Sequence, residues 1–318
     1  MATLFRKVLA ALPRLGVQVL DLGPGAAVIS RRGGYTARKA EAGAWLVGRE
    51  RTSTSAERPH APAGTWGLPQ ATASSLCARH VAGLLANYQV DCVFDVGANK
   101  GQYGTQLWRA GYRGRIVSFE PVPEALERLR EIAERDEDWQ VHPCGLGREE
   151  SVASIHLGWK TMNSLLEPSA YGRQRYQRFA DTGTTTQVRI RRLEDVMDEA
   201  LDGLAAPRPF LKMDTQGYDL EVFAGAGDRI GEFVGMQSEV AALRLYEGSP
   251  RMAEALAAYE DAGFGITGMY PVTREETTGR VVEFDCVMAR AARAVPVPGA
   301  TGARDGSATG DQRPPVGP

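Results

Sequence analysis

Acidic residues that follow apolar runs are the side chains in this 318-residue chain best suited to chemistry. Asp95 closes the run in VFDVGANKGQYG (93–104), ahead of Gly97, Ala98, Asn99 and Gly101 and a helical pattern that opens on Gln102 and Tyr103. Glycine lets a ligand approach the backbone, and a helix N-terminus offers unpaired N–H groups. Glu120 ends a second apolar run 19 residues beyond Gly101, with Pro121 closing it sharply so that the carboxylate stays at the strand tip. That is the offset at which an acid in nucleotide-binding α/β folds reaches ribose hydroxyls. Asp214 follows the run Phe210–Met213, with Gln216 just after it, and Glu239 follows Phe233–Ser238.

The charge at the first turn separates two ligand classes. A pyrophosphate wants a glycine-rich turn without a carboxylate, and Asp95 would repel it. S-adenosyl-L-methionine carries a sulfonium and an amino group but no phosphate, so a carboxylate complements it. On this reading Asp95, Gly97, Ala98, Asn99, Gly101, Gln102, Tyr103, Glu120 and Pro121 hold that cofactor. Cys144 and Gly145, closing a third strand, would border its adenine ring. A nicotinamide-dependent oxidoreductase and a non-catalytic cofactor-binding scaffold stand as alternatives. A second match to strand-plus-turn, VQVLDLGPG (17–25), places Pro24 where a donor N–H is needed and reads as a turn.

Methyl transfer to an alcohol is an in-line displacement that needs positioning and a proton acceptor. Histidines serve poorly: His60 and His80 precede the core, His142 lies inside a strand, and His156 sits between Ile155 and Leu157. The catalytic residues are therefore expected to be Asp214, Glu239 and Gln216. Asp214 would act as base or hold the methionine end of the cofactor, and Gln216 and Glu239 would orient the acceptor or help bind a divalent cation. Participation of such a cation, for example Mg2+, stays open. The competing role for Asp214 is helix capping, which needs only a side-chain oxygen. The role of Lys212 is open. The aromatic, arginine-bearing stretch Gly158–Asp181 suits a lid over substrate or a dimer contact equally.

These residues need a sheet to carry them. Strands are expected at Val90–Val96, Arg115–Phe119, Gln140–Cys144, Ser151–Leu157, Thr185–Ile190, Phe210–Met213, Phe233–Ser238, Gly265–Tyr270 and Glu283–Met288. Helices fall at Gly101–Ala110, Glu124–Arg135 and Met252–Ala262. Strands alternating with helices imply an α/β fold, a mainly parallel sheet covered on both faces, with ligands beyond its carboxyl edge.

The stretches VFDVGANKGQYG, IVSFEPVPEALERL (116–129), MNSLLEPS (162–169), LKMDTQGYDLEVFAGA (211–226), SEVAALRLYEGSP (238–250) and FDCVMAR (284–290) occur in an order that resembles the FkbM family of methyltransferases. The resemblance implies a Rossmann-like class I methyltransferase fold with a seven-stranded sheet. It also implies S-adenosyl-L-methionine as donor and O-methylation of a secondary metabolite or sugar-containing molecule.

Composition sets the frame. Apolar residues make up 43% and charged residues 24%, and the net charge of −2 leaves no basic footprint for nucleic acid. Four scattered cysteines argue against a disulfide framework or zinc site and suit the cytoplasm. No apolar run is long enough for a membrane span. The expected partners are a small hydroxylated acceptor and a second copy in a homodimer. Residues 1–72 read as an N-terminal extension, with an amphipathic helix over the first twenty residues and an irregular stretch near 49–69. Residues 73–291 read as the methyltransferase domain and 292–318 as a disordered tail.

Overall fold

The computed structural model describes residues 18–23, 26–30, 35–39, 45–49, 70–180 and 184–294. The expected irregular stretch and most of the expected N-terminal helix and tail lie outside these residues. The chain divides into two compact units, Met1–Ala61 and Pro62–Pro318. In the first, β1 (Gln18–Gly23) pairs antiparallel with β2 (Ala26–Ser30), and β3 (Tyr35–Lys39) with β4 (Trp45–Arg49). VQVLDLGPG thus leads into a hairpin, not a helix, and residues 18–20 open a strand where the amphipathic helix was expected to end.

The second unit opens with a helix that no periodicity announced, α1 (Gln70–Asn87), which crosses the expected boundary at residue 72. Its core is a seven-stranded sheet of β5 (Cys92–Val96), β6 (Arg115–Phe119), β7 (Trp139–His142), β11 (Pro209–Met213), β12 (Gly235–Ala241), β13 (Gly265–Arg274) and β14 (Val281–Ala289). Across the sheet they run β13-β14-β12-β11-β5-β6-β7. All neighbours are parallel except β14, which is antiparallel to β12 and β13. This is the expected class I methyltransferase architecture.

Helices cover both faces. Phe94, Leu211, Met213 and Met236 pack on one side with α5 (Leu193–Leu201), α6 (Asp219–Ala224) and α7 (Met252–Asp261). Val93, Phe210 and Val287 pack on the other with α1, α2 (Gln102–Arg109) and α3 (Pro123–Ala133). Burial on both faces is why β5 and β11 are apolar apart from Asp95 and Lys212. Pro123 occupies the first turn of α3, where its missing N–H costs nothing.

The alternating segments read as half-buried strands are β9 (Ser151–His156) and β10 (Thr185–Arg192). With the unanticipated β8 (Gly145–Gly147) they form a separate sheet of order β8-β10-β9. α4 (Ala170–Arg175) lies in the connection between β9 and β10. No described helix is long and apolar enough to cross a membrane.

The strand order reverses between β5 and β11. β6 and β7 extend one way from this switch point, and β11 and β12 the other, so the carboxyl ends of β5 and β11 border one crevice.

Candidate functional site

The turn after β5 has a backbone that few residues accept. Gly97, Asn99 and Gly101 all take positive φ, at 77°, 50° and 79°. Gly97 is required for space as well, since a Cβ there would stand 2.1 Å from the carbonyl oxygen of Asp214. The amides of Gly97 and Ala98 both donate to the Phe119 carbonyl, and the Asp214 amide donates to that of Val96. The turns after β5, β6 and β11 are thereby locked to one another.

Glu120 is buried at the tip of β6. Its Oε2 accepts from the Asn99 amide and its Oε1 from the Val122 amide, each at 2.8 Å. Burial pushes its pKa up to about 7, against the opposing pull of those two amides. Each oxygen retains a lone pair, and Glu120 lines a cavity of about 970 Å³ together with Gly97, Ala98, Asn99, Gln102 and Tyr103. Pro121, Gly145, Asp214 and Gln216 line it too.

Asp95 is placed differently from the expectation. Its side chain is fully buried and does not border the cavity; Lys212 Nζ meets its Oδ1 at 3.1 Å. Burial raises the Asp95 pKa and Lys212 opposes it. Burial also works against the Lys212 ammonium, yet Asp95 and Asp214 together hold its pKa above the ordinary lysine value. The carboxylate is answered from within, so it neither faces a ligand's cation nor repels a phosphate.

Lys212 is the link that sequence reasoning left open. It borders the cavity, lies 3.5 Å from Asp214 Oδ2 and stands 5.2 Å from the centre of the Tyr103 ring. The pairing follows from register: Asp95 stands opposite Ser118 on one side and Lys212 on the other, and Lys212 stands opposite Gln237. One polar residue from each of four adjacent strands thus forms a row just short of the sheet's carboxyl edge.

The three residues expected to act in transfer do converge. Gln216, at a φ of 55°, donates from Nε2 to Asp214 Oδ1 at 2.9 Å and to Glu239 Oε2 at 3.0 Å. Its Oε1 lies 2.9 Å from the Tyr246 hydroxyl, and its carbonyl accepts from Ser164 Oγ. Asp214 borders the cavity with its side chain 44% exposed, whereas Glu239 stands behind Gln216 and does not line it. Burial, then the nearby carboxylates of Glu283 and Asp214, push the Glu239 pKa well above the usual range. Burial likewise raises Glu283 to about 8 and Asp285 to about 6.

Capping does not explain Asp214, whose oxygens engage Gln216 and Lys212. The acid that holds this loop is Asp219, the first residue of α6, which the sequence did not single out. Asp219 is buried and accepts from the amide and hydroxyl of Thr215, from Ser238 Oγ and from the Glu239 amide. It ties the loop after β11 to the edge of β12. Among the described residues no group of three or more His, Cys, Asp or Glu side chains could hold a metal ion, so the Mg2+ left open has no ready ligand set.

Other expectations resolve around this centre. Cys144 is buried in the core and does not border the cavity; Gly145, Leu146 and Ile155 form the wall at that end. Gly101 also lies outside the lining and serves as the left-handed entry to α2. His156 stacks on Trp159 and pairs with Glu167, His142 stacks on Phe119, and His80 bonds to Tyr270. His60 lies outside the described residues. In Gly158–Asp181 the aromatic rings of Trp159 and Phe179 are fully buried against Tyr246, so the segment is a packed cap. Lys160, Asn163, Ser164 and Leu165 of this cap border the cavity.

The sequence profile of the methyltransferase FkbM domain matches residues 95–266. A search of curated proteins gives no match. Similar solved structures include magnesium protoporphyrin IX methyltransferase from Synechocystis PCC 6803, 11% identical, covering 70% of this chain and 79% of that one at a TM-score of 0.38. Fibrillarin from Aeropyrum pernix is 12% identical, with 86% of this chain and 97% of that one covered at a TM-score of 0.39. Precorrin-6y C5,15-methyltransferase from Geobacter metallireducens is 14% identical, with 66% and 86% covered at 0.34.

Proposed function

The chain belongs to the FkbM methyltransferase family, and from that premise we propose that it methylates a hydroxyl oxygen of a small molecule, with S-adenosyl-L-methionine as donor. One observation carries the reading. A single cavity joins the Gly97–Asn99 turn and Glu120, which suit a nucleoside, to Asp214 and Gln216, which suit transfer.

The fit of the donor rests on space and on hydrogen bonding. Gly97 lets the turn pack against the Asp214 backbone while it borders the cavity, and Glu120 can accept ribose hydroxyls. When bound, the cofactor supplies an electrophilic methyl on a positively charged sulfur. Gln216 fixes the orientation of Asp214, and the half-exposed Asp214 carboxylate can hold an ammonium group or accept a proton. With Asp95 neutralised by Lys212, the choice of donor over a dinucleotide rests on the family and not on the charge of the turn. A small acceptor in preference to nucleic acid is supported by the net charge of −2. Four buried, free cysteines support a reducing compartment.

The test is calorimetry with S-adenosylhomocysteine, followed by donor consumption against a panel of hydroxylated compounds. Asp214→Asn is expected to lower turnover about 100-fold. Full turnover with unchanged cofactor affinity would refute its role. Protection against thermal unfolding by NADH, with none by the methyl donor, would move the protein to the oxidoreductases.

Glu120 gives the binding a pH signature. Ribose hydroxyls donate to the ionised carboxylate, so below a pKa of about 7 a proton must leave before binding. Affinity is expected to rise with pH up to neutrality, by about tenfold per unit on the acid side. Glu120→Gln should bind more weakly and lose that slope; a slope that survives would show that another group titrates.

A further inference from the structure

The cavity does not end at the nucleoside cradle. It continues as an arm bordered by α1, α2 and the sheet. One wall is a face of α1 on which Ser74, Cys77, Ala78 and Val81 follow helical three-four spacing; Tyr103 and Leu107, one turn apart on α2, also border it. None of the α1 residues in that row is aromatic or long, which suits a flat group against this wall.

The polar residues of the arm come from the sheet. Lys212, Gln237 and Asp285 stand on β11, β12 and β14 and all border the cavity. The Tyr103 hydroxyl donates to Gln237 Oε1 at 3.1 Å, and Gln237 Nε2 donates to Asp285 Oδ1 at 3.0 Å. Amide and carboxylate are thus held in one orientation from α2 to β14. Asp285 Oδ2 accepts no hydrogen bond from the described residues, which leaves it available to a donor in the cavity. Neither Asp285 nor Gln237 has a part in the transfer roles given to Asp214, Gln216 and Glu239.

We propose that this arm is the acceptor subsite, that it takes an aromatic ring bearing a phenolic hydroxyl, and that Asp285 is the base for that hydroxyl, which leaves Asp214 to hold the donor's ammonium group. The proposal rests on the methyl-transfer reading above. In the step, the phenol oxygen forms the new C–O bond to the methyl group. The C–S bond breaks and leaves its electron pair on sulfur, and the phenolic proton passes to Asp285 Oδ2. Lys212, in the same arm, favours negative charge on the oxygen as its proton departs.

Two considerations select a phenol over a sugar hydroxyl. Val81 and Leu107 offer no hydrogen bonds, so a sugar would leave several hydroxyls unpaired against them, whereas a phenol needs one polar contact. The proton match points the same way. Burial raises Asp285 to about 6, a phenol ionises near ~10 as tyrosine does, and an aliphatic hydroxyl lies closer to the ~15.7 of water.

The experiment loads the full chain with S-adenosylhomocysteine and titrates 4-methylphenol, 2-naphthol and methyl glucoside by calorimetry. Methyl transfer to each is then followed with the donor. At least one phenol should bind and be methylated, and methyl glucoside should do neither. Ser74→Phe, at an exposed position of the arm, and Ala78→Phe should each weaken phenol binding at least tenfold while S-adenosylhomocysteine affinity stays within twofold. Asp285→Asn should keep both affinities within threefold and slow transfer at least 100-fold. Phenol binding unmoved by Ser74→Phe, no phenol bound at all, or a transfer rate retained by Asp285→Asn would each overturn the proposal. Failure of S-adenosylhomocysteine itself to bind would instead remove the methyltransferase reading beneath it.

Discussion

Gly97→Ala is expected to abolish detectable cofactor binding and to lower folding stability by about 2–5 kcal/mol, the sum of two effects. The first is backbone strain: φ is 77°, in a region where an L side chain costs about 1–2 kcal/mol. The second is steric. The added Cβ would stand 2.1 Å from the Asp214 carbonyl oxygen and 2.9 Å from its carbonyl carbon, so backbone must move. Relief of such overpacking costs about 1–3 kcal/mol. The strand ends of β5 and β11 would be forced apart at the switch point, where Glu120, Asn99 and Asp214 must keep their relative positions. Gly83→Ala is the matched control. It lies at an exposed position in α1 with nothing within 4 Å of its would-be Cβ, and should raise stability by about 1 kcal/mol through helix propensity. Chemical denaturation and calorimetry of both variants decide the matter. A Gly97→Ala protein that binds S-adenosylhomocysteine normally would show that the turn does not contact the cofactor.

Lys212→Met should cost about 3–5 kcal/mol, because removing one partner of a buried pair leaves the other charge uncompensated. Among the described residues Asp95 would keep the Ser118 hydroxyl, at 3.5 Å, as its side-chain hydrogen-bond donor. Asp95→Asn/Lys212→Met should recover most of the loss, since neutral partners carry no desolvation penalty for a lone charge. The pH dependence has a definite sign. Burial already raises the Asp95 pKa and Lys212 opposes it, so the single variant raises it further. Above the ordinary carboxylate range the folded variant then holds a proton that the unfolded chain has released, and its stability falls as pH rises. The deficit against the parent protein is therefore smallest at acid pH and widens toward neutrality. It narrows again only at strongly alkaline pH: the parent's Lys212 contribution is complete below the ordinary lysine value and is lost as pH climbs through the raised folded one. Urea unfolding at pH 5 and pH 8 measures the effect. An equal deficit at both values, or a double variant no better than the single one, would mean that Lys212→Met destabilises through packing alone.

The residues that were legible in the sequence share a local cause. Arg115–Phe119 is found as a strand over the expected span, because Ile116, Val117 and Phe119 supply apolar side chains to both buried faces. The Gly97–Gly101 turn was readable because only a few residue types accept its dihedral angles, and Glu120 because chain offset fixes its strand tip. Gln216 was expected from its place after β11, but nothing local announced its positive φ or the four side chains that hold it. Asp219 was not singled out in the sequence and proves to tie the loop after β11 to β12. α1 was missed because its long apolar content has little periodicity, although its small-residue face borders the cavity.

By itself, then, the sequence determined most strands of the large sheet, the glycine-bearing turn after β5 and the carboxylates near the strand ends, all of which depend on short-range pattern. Only the tertiary structure decided what Asp95 faces. A strand's alternation says that Asp95 and Lys212 each leave an apolar run, but not that β5 and β11 are neighbours, 117 residues apart between those two positions, with the two side chains in register. Strand order places an ammonium against a carboxylate that the chain alone presents as free. The same order sets Gln237 and Asp285 beside them, since register between distant strands is settled by packing across the whole sheet.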